Sequence, residues 1–510
     1  MERPHTVKIV VIGAGMGGMM SAARLAKAGH EVILYEASDR VGGKLHTEWI
    51  GKVAFDTGPS LLTLPAVYKD FFQRTGKHLG LMCEIKAVDP SFDYRFADGT
   101  SVNFANLSRY HTLNNLRAVY GEDVARQWDQ MMRRAEKMWD VSREPFIENE
   151  LRSPFSLIKR FSLIRDLKII APWKSLRDFA TQELPDQHLR YILDRYATYS
   201  GSDPRKAPAV LASIAFVEEA FGAWHIKGGL GTLATLVHER AEKLGVTFHL
   251  NSPVKTINLS KGTATGITLE SGEVIAAGAV IANADASLIY NHLITGKIRK
   301  IKKVRKNIAK ADPSLAGFSL LLGIRKDGSE ALNHHTVLFP KDYDAEFDAI
   351  FNEKKPVLEP TIYICAPGDE AMSKDETLES WFVLVNAPAH GKNSFDWNDA
   401  DFVRNYANSI IDQIEARGIS VRSRLESLTI RTPADLENVV RAPGGSIYGT
   451  SSNGARAAFM RAKNRSPIKN LYCVGGSAHP GGGLPLVGLS AEMVANAVAN
   501  VHSGQPLKSH

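Results

Sequence analysis

The chain has 510 residues, 44% of them hydrophobic and 23% charged, a balance that excludes a disordered, collagenous or coiled-coil protein and allows about three domains. Its three cysteines, Cys83, Cys365 and Cys473, are far apart, which argues against a disulfide framework and against a cysteine-based zinc site. The formal charge of +7 is too mild for nucleic-acid binding but compatible with an anionic membrane surface. No uninterrupted apolar stretch approaches the roughly 20 residues of a spanning helix, so contact with a membrane is expected to be peripheral.

The first residues do not read as a signal peptide, because glycines interrupt the apolar run and no basic n-region precedes it. Thr6 to Ile12 reads instead as a β-branched buried strand. It runs into Gly13-Ala14-Gly15-Met16-Gly17-Gly18, then an Ala-, Leu- and Met-rich helix from Met19 to a stop at Gly29. Glu31 to Glu36 reads as a second strand, followed by Ala37. Strand, glycine turn, helix, strand and terminal acid form a dinucleotide fingerprint. Gly13 permits the tight turn, Gly15 lets the backbone approach a pyrophosphate, and Gly18 lets the helix pack close. The helix N-terminus faces the phosphates, and Glu36, 21 residues after Gly15, is placed for a ribose.

Arg40-Val41-Gly42-Gly43-Lys44 and Phe55-Asp56-Thr57-Gly58-Pro59-Ser60 follow. With these two blocks the sequence resembles the flavoprotein superfamily of amine oxidases and carotenoid desaturases. The resemblance implies that the cofactor is FAD. It places the paired glycines and a basic residue at the pyrophosphate and ribityl chain, and Gly58, Pro59 and Ser60 beside the flavin. Lys44 then reads as a phosphate counter-charge.

Residues from about 105 to 220 read as mainly helical. Within them, 151–178 carries seven Lys/Arg, with Leu157, Phe161, Ile164 and Leu167 at helical spacing. This is either an amphipathic helix covering a core or an element lying in a membrane interface. Gly228-Gly229-Leu230 opens a helix to about Leu244, and strands are expected at Val246–Leu250, Pro253–Ile257, Ala264–Leu269 and Glu273–Ile281. Eight basic residues between Lys297 and Lys310 read as a solvated helix face or as a patch for anionic phospholipid. Strand-like runs at Phe318–Gly323, Thr361–Cys365 and Trp381–Val385, with a helix near Phe402–Arg417, suit a mixed sheet over a substrate cavity.

The C-terminal stretch from Asn464 through Gly475-Gly476 to His479-Pro480-Gly481-Gly482-Gly483-Leu484-Pro485-Leu486-Val487 is a strand, a glycine loop and an Ala-rich helix. It offers a second helix N-terminus to an electron-rich group. This stretch, with Thr198-Tyr199-Ser200-Gly201 and Gly222 to Leu230, resembles the bacterial phytoene-desaturase-type carotenoid desaturases over essentially the whole chain. The lean is towards the branch acting on modified or partly desaturated carotenoids, the 3,4-desaturases. The resemblance implies that Val254 meets the adenine and that Gly476, Leu486 and Val487 lie at the flavin. His479 becomes a polar group beside the ring or a loop anchor, and Trp224 a tunnel wall or plain core.

The expected fold is α/β. A Rossmann-like three-layer FAD-binding domain (1–75, 225–300 and 460–510) receives an inserted mixed-sheet and helical substrate domain (76–224 and 301–459). The expected enzyme removes hydrogens from C–C single bonds of a long acyclic polyene, phytoene or a hydroxylated or partly desaturated carotenoid. FAD takes the hydride, and a quinone or oxygen takes the electrons. No general base is named. The alternatives are a polyene isomerase or saturase, a flavin amine oxidase on a soluble substrate, and a non-catalytic flavin scaffold. No nucleophile elbow supports acyl transfer. His334-His335 lacks an accompanying carboxylate pattern and reads as a surface pair, so no metal is expected. A cytoplasmic, membrane-peripheral location follows from the same resemblance.

Overall fold

The computed structural model describes residues 6–151, 163–328, 331–454 and 457–502. Its first sheet is parallel and five-stranded, in the order Leu471–Cys473, Ala279–Ala282, Lys8–Ile12, Glu31–Tyr35, Thr247–His249. The strand Lys8–Ile12 is central, and its alternate residues serve different layers. Ile9 and Val11 join one apolar cluster with Met19, Leu25, Leu233 and Val494, which come from the helices Met16–Lys27, Gly231–Lys243 and Leu484–His502. Val10 and Ile12 join another with Ile257 and Ile267, from the antiparallel three-stranded sheet Val254–Ser260, Thr263–Leu269, Val274–Ala276. Helices, parallel sheet and small sheet are the three layers. Each fully buried Val or Ile contributes roughly 1.5–3 kcal/mol, which explains why this strand is β-branched on both faces.

One expected strand divides. Glu273–Ile281 is two strands, Val274–Ala276 paired antiparallel with Thr263–Leu269 and Ala279–Ala282 paired parallel with Lys8–Ile12. The break falls at Ala277-Gly278, where a Cβ on Gly278 would stand 2.5 Å from Val7 Cγ1. Close approach of the N-terminal strand demands glycine there.

The second large sheet is seven-stranded and mixed: Leu425–Arg431, Ala316–Arg325, Leu378–Ala387, Ile362–Cys365, His335–Leu338, Phe92–Arg95, Ser101–Phe104. Only the pairing of His335–Leu338 with Phe92–Arg95 is parallel. Helices Glu122–Ser142, Leu176–Glu183 and Gln187–Thr198 pack on its Phe92–Phe104 end through Trp128, Phe179 and Ile192. Helix Ala400–Ala416 covers the other part through Tyr406, Ile410 and Ile414. Gly201 docks the helical layer onto this sheet, and Tyr199 ties two helices of that layer together. Tyr199 Oη donates to Glu218 at 2.9 Å, Leu315 N donates to Gly201 O at 3.1 Å, and a Cβ on Gly201 would collide with Ser314.

Of the basic amphipathic stretch, Arg152, Leu157, Lys159, Arg160 and Phe161 lie outside the described residues. Its helix Leu163–Ile170 leaves Ile164 74% exposed and Leu167 exposed, and Trp173 nearby is 66% exposed. The basic run further on forms the helix Lys302–Lys310, where Arg305 donates to the carbonyls of Tyr290, Ile294 and Gly296. Among the described residues no helix is long and apolar enough to cross a membrane.

Candidate functional site

The glycine turn sits at the carboxyl end of the central parallel strand, where open α/β sheets bind ligands. Gly13 N donates to Tyr35 O at 2.8 Å, and Gly13 has φ +94°, a left-handed conformation suited to glycine. Helix Met16–Lys27 starts at Gly15, whose lack of a side chain leaves room for an anion at the positive end of the helix. Glu36 turns its carboxylate back onto the turn. It accepts Ala14 N at 2.6 Å on one oxygen, and Ser38 N and Oγ, both at 2.9 Å, on the other. A carboxylate has about four lone-pair directions, so one remains for a ribose hydroxyl. Ala37 is half-buried beside it. Ser252 N donates to Glu36 O at 2.7 Å, which brings the start of strand Val254–Ser260, with Val254 buried, next to Glu36.

The Arg40–Lys44 loop lies directly on this turn. Gly42 N donates to Ala14 O at 2.9 Å, and a Cβ on Gly43 would stand 3.3 Å from Gly15 Cα. The Lys44 ammonium donates to the carbonyls of Ser446 (2.8 Å) and Ile447 (2.6 Å), so the charge assigned to a phosphate is held by backbone in this structure. Gly58 crosses over Lys44 so closely that a Cβ there would overlap Lys44 O. Pro59 leads to Ser60, whose Oγ is 2.8 Å from the Tyr363 hydroxyl. Asp56, which opens that turn, accepts Leu230 N at 2.9 and 3.0 Å and Thr47 Oγ1 at 2.5 Å. It thereby fixes the start of helix Gly231–Lys243.

Trp224 is joined to the same segment by reciprocal backbone bonds with Leu62. Its indole donates to Phe221 O at 2.7 Å and lies half-buried against the helix-side core. Asp369 holds the following residues, accepting Gly228 N at 2.6 Å and facing His225 Nε2 at 2.9 Å. Burial opposes its ionisation, yet His225 and the Gly228 and Ala371 amides hold its carboxyl at about 2.

At the C-terminal loop, the Ala-rich helix runs from Leu484 to His502. Leu486 and Val487 therefore lie in its first turn, and Val487 packs on the helix-side core. Gly476 gives its carbonyl to Arg461 Nη1 at 2.8 Å. His479 is buried, and its Nε2 is 2.9 Å from Asn149 O. Its carbonyl accepts Asn464 Nδ2 and Ser490 Oγ, while burial lowers the imidazole pKa. These contacts are those of a loop anchor.

Three residues that sequence reading missed organise the site: Asn283, Arg461 and Asp285. Asn283 Oδ1 accepts Gly18 N at 3.0 Å and its Nδ2 donates to Val474 O at 3.1 Å, tying the two glycine loops together. A Cβ on Gly15 would lie 2.7 Å from that Oδ1, and one on Gly475 only 2.3 Å from Nδ2. Buried Arg461 also donates to the carbonyls of Tyr448 and Thr450. Burial lowers Arg461 to about 10 and Lys44 to about 8, with Asp285 opposing both shifts. Buried Arg461 and half-buried Lys44 with one acid, beside a glycine turn and a helix N-terminus whose cap residue Gly15 offers no side chain, fit an anionic dinucleotide.

One expectation is corrected. His334 and His335 are not a surface pair, because His335 is fully buried and His334 half-buried against Cys365 and Tyr363. Burial, with His225 next, pushes His334 down to about 3, and burial puts His335 well below the usual range.

The family model for flavin containing amine oxidoreductases matches residues 16–310. The chain is 31% identical to a 1-hydroxycarotenoid 3,4-desaturase from a Flavobacterium species, over 97% of this chain and 100% of that protein. It is 28% identical to a 4,4'-diaponeurosporene oxygenase of Staphylococcus haemolyticus, over 96% and 97%. Among solved structures, an oxidoreductase from Methanosarcina mazei superposes with a TM-score of 0.64 at 16% identity, covering 96% of this chain and 99% of that one. A redesigned putrescine oxidase superposes at 0.67 and 15%, covering 98% and 99%. The latter two speak for the fold. The chain belongs to the flavin-containing amine oxidoreductase family, within its carotenoid desaturases, and is an FAD-dependent oxidoreductase.

Proposed function

We propose that this enzyme desaturates a long acyclic polyene, taking two hydrogens from a C–C single bond of a hydroxylated or partly desaturated carotenoid. The observation that carries this reading is the 31% identity to the 1-hydroxycarotenoid 3,4-desaturase along the whole of both chains. When bound, FAD supplies the hydride acceptor. The chain's own residues bind and orient. Gly13, Ala14, Gly15 and Gly18 with the helix N-terminus take the pyrophosphate, and Glu36 with Ala37 takes the ribose. Val254 flanks the adenine, and Gly58, Pro59, Ser60, Gly476, Leu486 and Val487 surround the flavin. Lys44 and Arg461 hold the loops 446–450 and 476 and set a positive potential there.

An open cleft of about 460 Å³ is lined by Leu315, Ile350 and Phe351 and by polar groups including Lys354, His390 and Lys392, with Ser314 at its wall. Ser314 Oγ lies 2.8 Å from Ser446 Oγ, and the Ser446 carbonyl takes the Lys44 ammonium. We assign this cleft to one end of the polyene. Trp224 and Leu486 shape the inner path, and His479 anchors its loop rather than moving a proton.

The enzyme collects its substrate from a lipid surface. Exposed Ile164, Leu167 and Trp173 with Arg165 and Lys168 form the face that meets it, apolar groups entering the interface and cations facing anionic headgroups. A membrane quinone or oxygen reoxidises the flavin.

A second reading has one specific support, the diapocarotenoid oxygenases at 28% and 27% identity. Product analysis separates the two. The enzyme is incubated with a 1-hydroxylated acyclic carotenoid in liposomes, and the product is analysed by mass spectrometry. Loss of two hydrogens supports the desaturase, whereas gain of oxygen at an end group overturns it.

A further inference from the structure

His335 and Cys365 are directly opposed in the antiparallel pairing of strands His335–Leu338 and Ile362–Cys365, and His334 immediately precedes the first strand. The fold thus gathers two imidazoles and a thiol that are thirty residues apart in the chain, 335 to 365. His334 Nδ1 lies 3.5 Å from His335 Nδ1 and 3.7 Å from Cys365 Sγ. Each of the three residues offers one ligand atom within 4.8 Å of those of the other two.

As hydrogen bonds these contacts are long and weak. As separations between ligands of one ion these two distances fit well. A tetrahedral ion bound at about 2.0–2.1 Å to nitrogen and about 2.3 Å to sulfur holds its ligands roughly 3.3–3.7 Å apart. The Nε2 atoms of both rings are buried with no hydrogen-bond partner, so contacts at Nδ1 position the rings.

We propose that His334 Nδ1, His335 Nδ1 and Cys365 Sγ bind one thiophilic metal ion, Zn²⁺ or Cu⁺. Thiolate and imidazole ligands select these ions over Mg²⁺ and Ca²⁺, which prefer oxygen. On binding, the Cys365 thiol gives its proton to solvent and the sulfur lone pair forms the metal bond, with no change of oxidation state. The resulting thiolate cancels the charge of Cu⁺ and half that of Zn²⁺, which lessens the cost of placing the ion in a buried site.

Tyr363 Oη lies 2.7 Å from His335 Nδ1 and 2.8 Å from Ser60 Oγ. When the ion takes the imidazole lone pair, Tyr363 keeps Ser60 as its partner and offers an oxygen for a fourth position. Because Cys365 Sγ also stands 4.0 Å from Ser60 O, the ion pins two strand ends of the seven-stranded sheet behind the turn that holds Gly58 and Pro59.

The test uses the full chain with its flavin. Separate samples are incubated with Zn²⁺ or, under reducing anaerobic conditions, with Cu⁺, then dialysed against a weak chelator. Metal per protein is read by mass spectrometry. About one equivalent of one ion is expected in the wild type and in Cys83→Ser, falling below about a tenth in Cys365→Ser and His335→Phe at unchanged flavin content. Less than about a tenth with both ions in the wild type, or undiminished binding in Cys365→Ser, overturns the proposal. Should the variants fail to fold, X-ray absorption of the loaded wild type decides. One sulfur at about 2.3 Å with nitrogen neighbours sustains the site, and a shell without sulfur overturns it.

Discussion

Asn283 and Gly18 stand 265 residues apart in the chain, yet the Asn283 side chain accepts the Gly18 amide at 3.0 Å and, through its other end, reaches Val474 O at 3.1 Å. One amide group therefore sets the spacing between the first glycine turn and the C-terminal glycine loop. Asn283→Asp keeps the acceptor but replaces the donor with an oxygen facing Val474 O. The expected cost is about 1–3 kcal/mol in denaturant unfolding, because a buried carbonyl is left unpaired. The flavin-to-protein ratio of the purified variant should fall several-fold. An Asp variant with full flavin and unchanged stability contradicts this role.

Gly15→Val is expected to give protein without flavin. A β-carbon there meets Asn283 Oδ1 at 2.7 Å before any cofactor is considered, and the side chain then also obstructs the pyrophosphate path. Gly80→Ala is the control, since nothing lies within 4 Å of a Cβ at that position. Absorbance of the bound flavin in the two purified variants is the check. Equal flavin content in both contradicts the expectation.

Lys44 makes FAD affinity depend on pH. Burial, opposed by Asp285, places its ammonium at about 8 in the free protein. Below that pH the cation is present and favours an anionic cofactor. As pH rises past it, the free protein loses the charge and binding must take a proton back up. FAD affinity is thus expected to be flat up to about pH 8 and to weaken above it. In Lys44→Met this dependence should vanish, with weaker binding throughout. Titration of apoprotein with FAD between about pH 6 and 10, followed by flavin fluorescence, measures it. An unchanged pH profile in Lys44→Met contradicts the assignment.

The strand, glycine turn, helix and second strand near the N-terminus were legible because they are local. Strand periodicity, Gly13-Ala14-Gly15-Met16-Gly17-Gly18 and Glu36 all fall within one short stretch. The Arg40–Lys44 and Phe55–Ser60 blocks could be read as neighbours of that turn, although not that Lys44 would point at the Ser446 and Ile447 carbonyls. Asn283 and Arg461 were invisible. Each acts on backbone groups of loops brought beside it only by folding, and a lone Asn or Arg carries no spacing signal. His334-His335 misled for a related reason. Two adjacent polar residues look exposed in sequence, but the seven-stranded sheet places His335 in a buried strand opposite Cys365.

Lipid binding should depend on Ile164 and Trp173. The double variant Ile164→Ser, Trp173→Ser is expected to sediment several-fold less with anionic liposomes than the wild type. Lys168→Glu should weaken binding mainly at low salt, since exposed charges are screened within about 10 Å at 0.1 M ionic strength. Both variants should keep their flavin, as none of these residues touches the glycine loops. Undiminished sedimentation of the double variant places the lipid-facing surface elsewhere.

The most direct measurement is anaerobic bleaching of the bound flavin. The purified holoenzyme is mixed with liposomes carrying phytoene, a 1-hydroxylated acyclic carotenoid or no polyene, and separately with a panel of soluble amines. The expected result is loss of the oxidised flavin spectrum with the hydroxylated carotenoid, slower or no loss with phytoene, and none with amines or empty liposomes. Bleaching by amines alone contradicts the carotenoid desaturase reading and leaves an amine-oxidising flavoenzyme in its place.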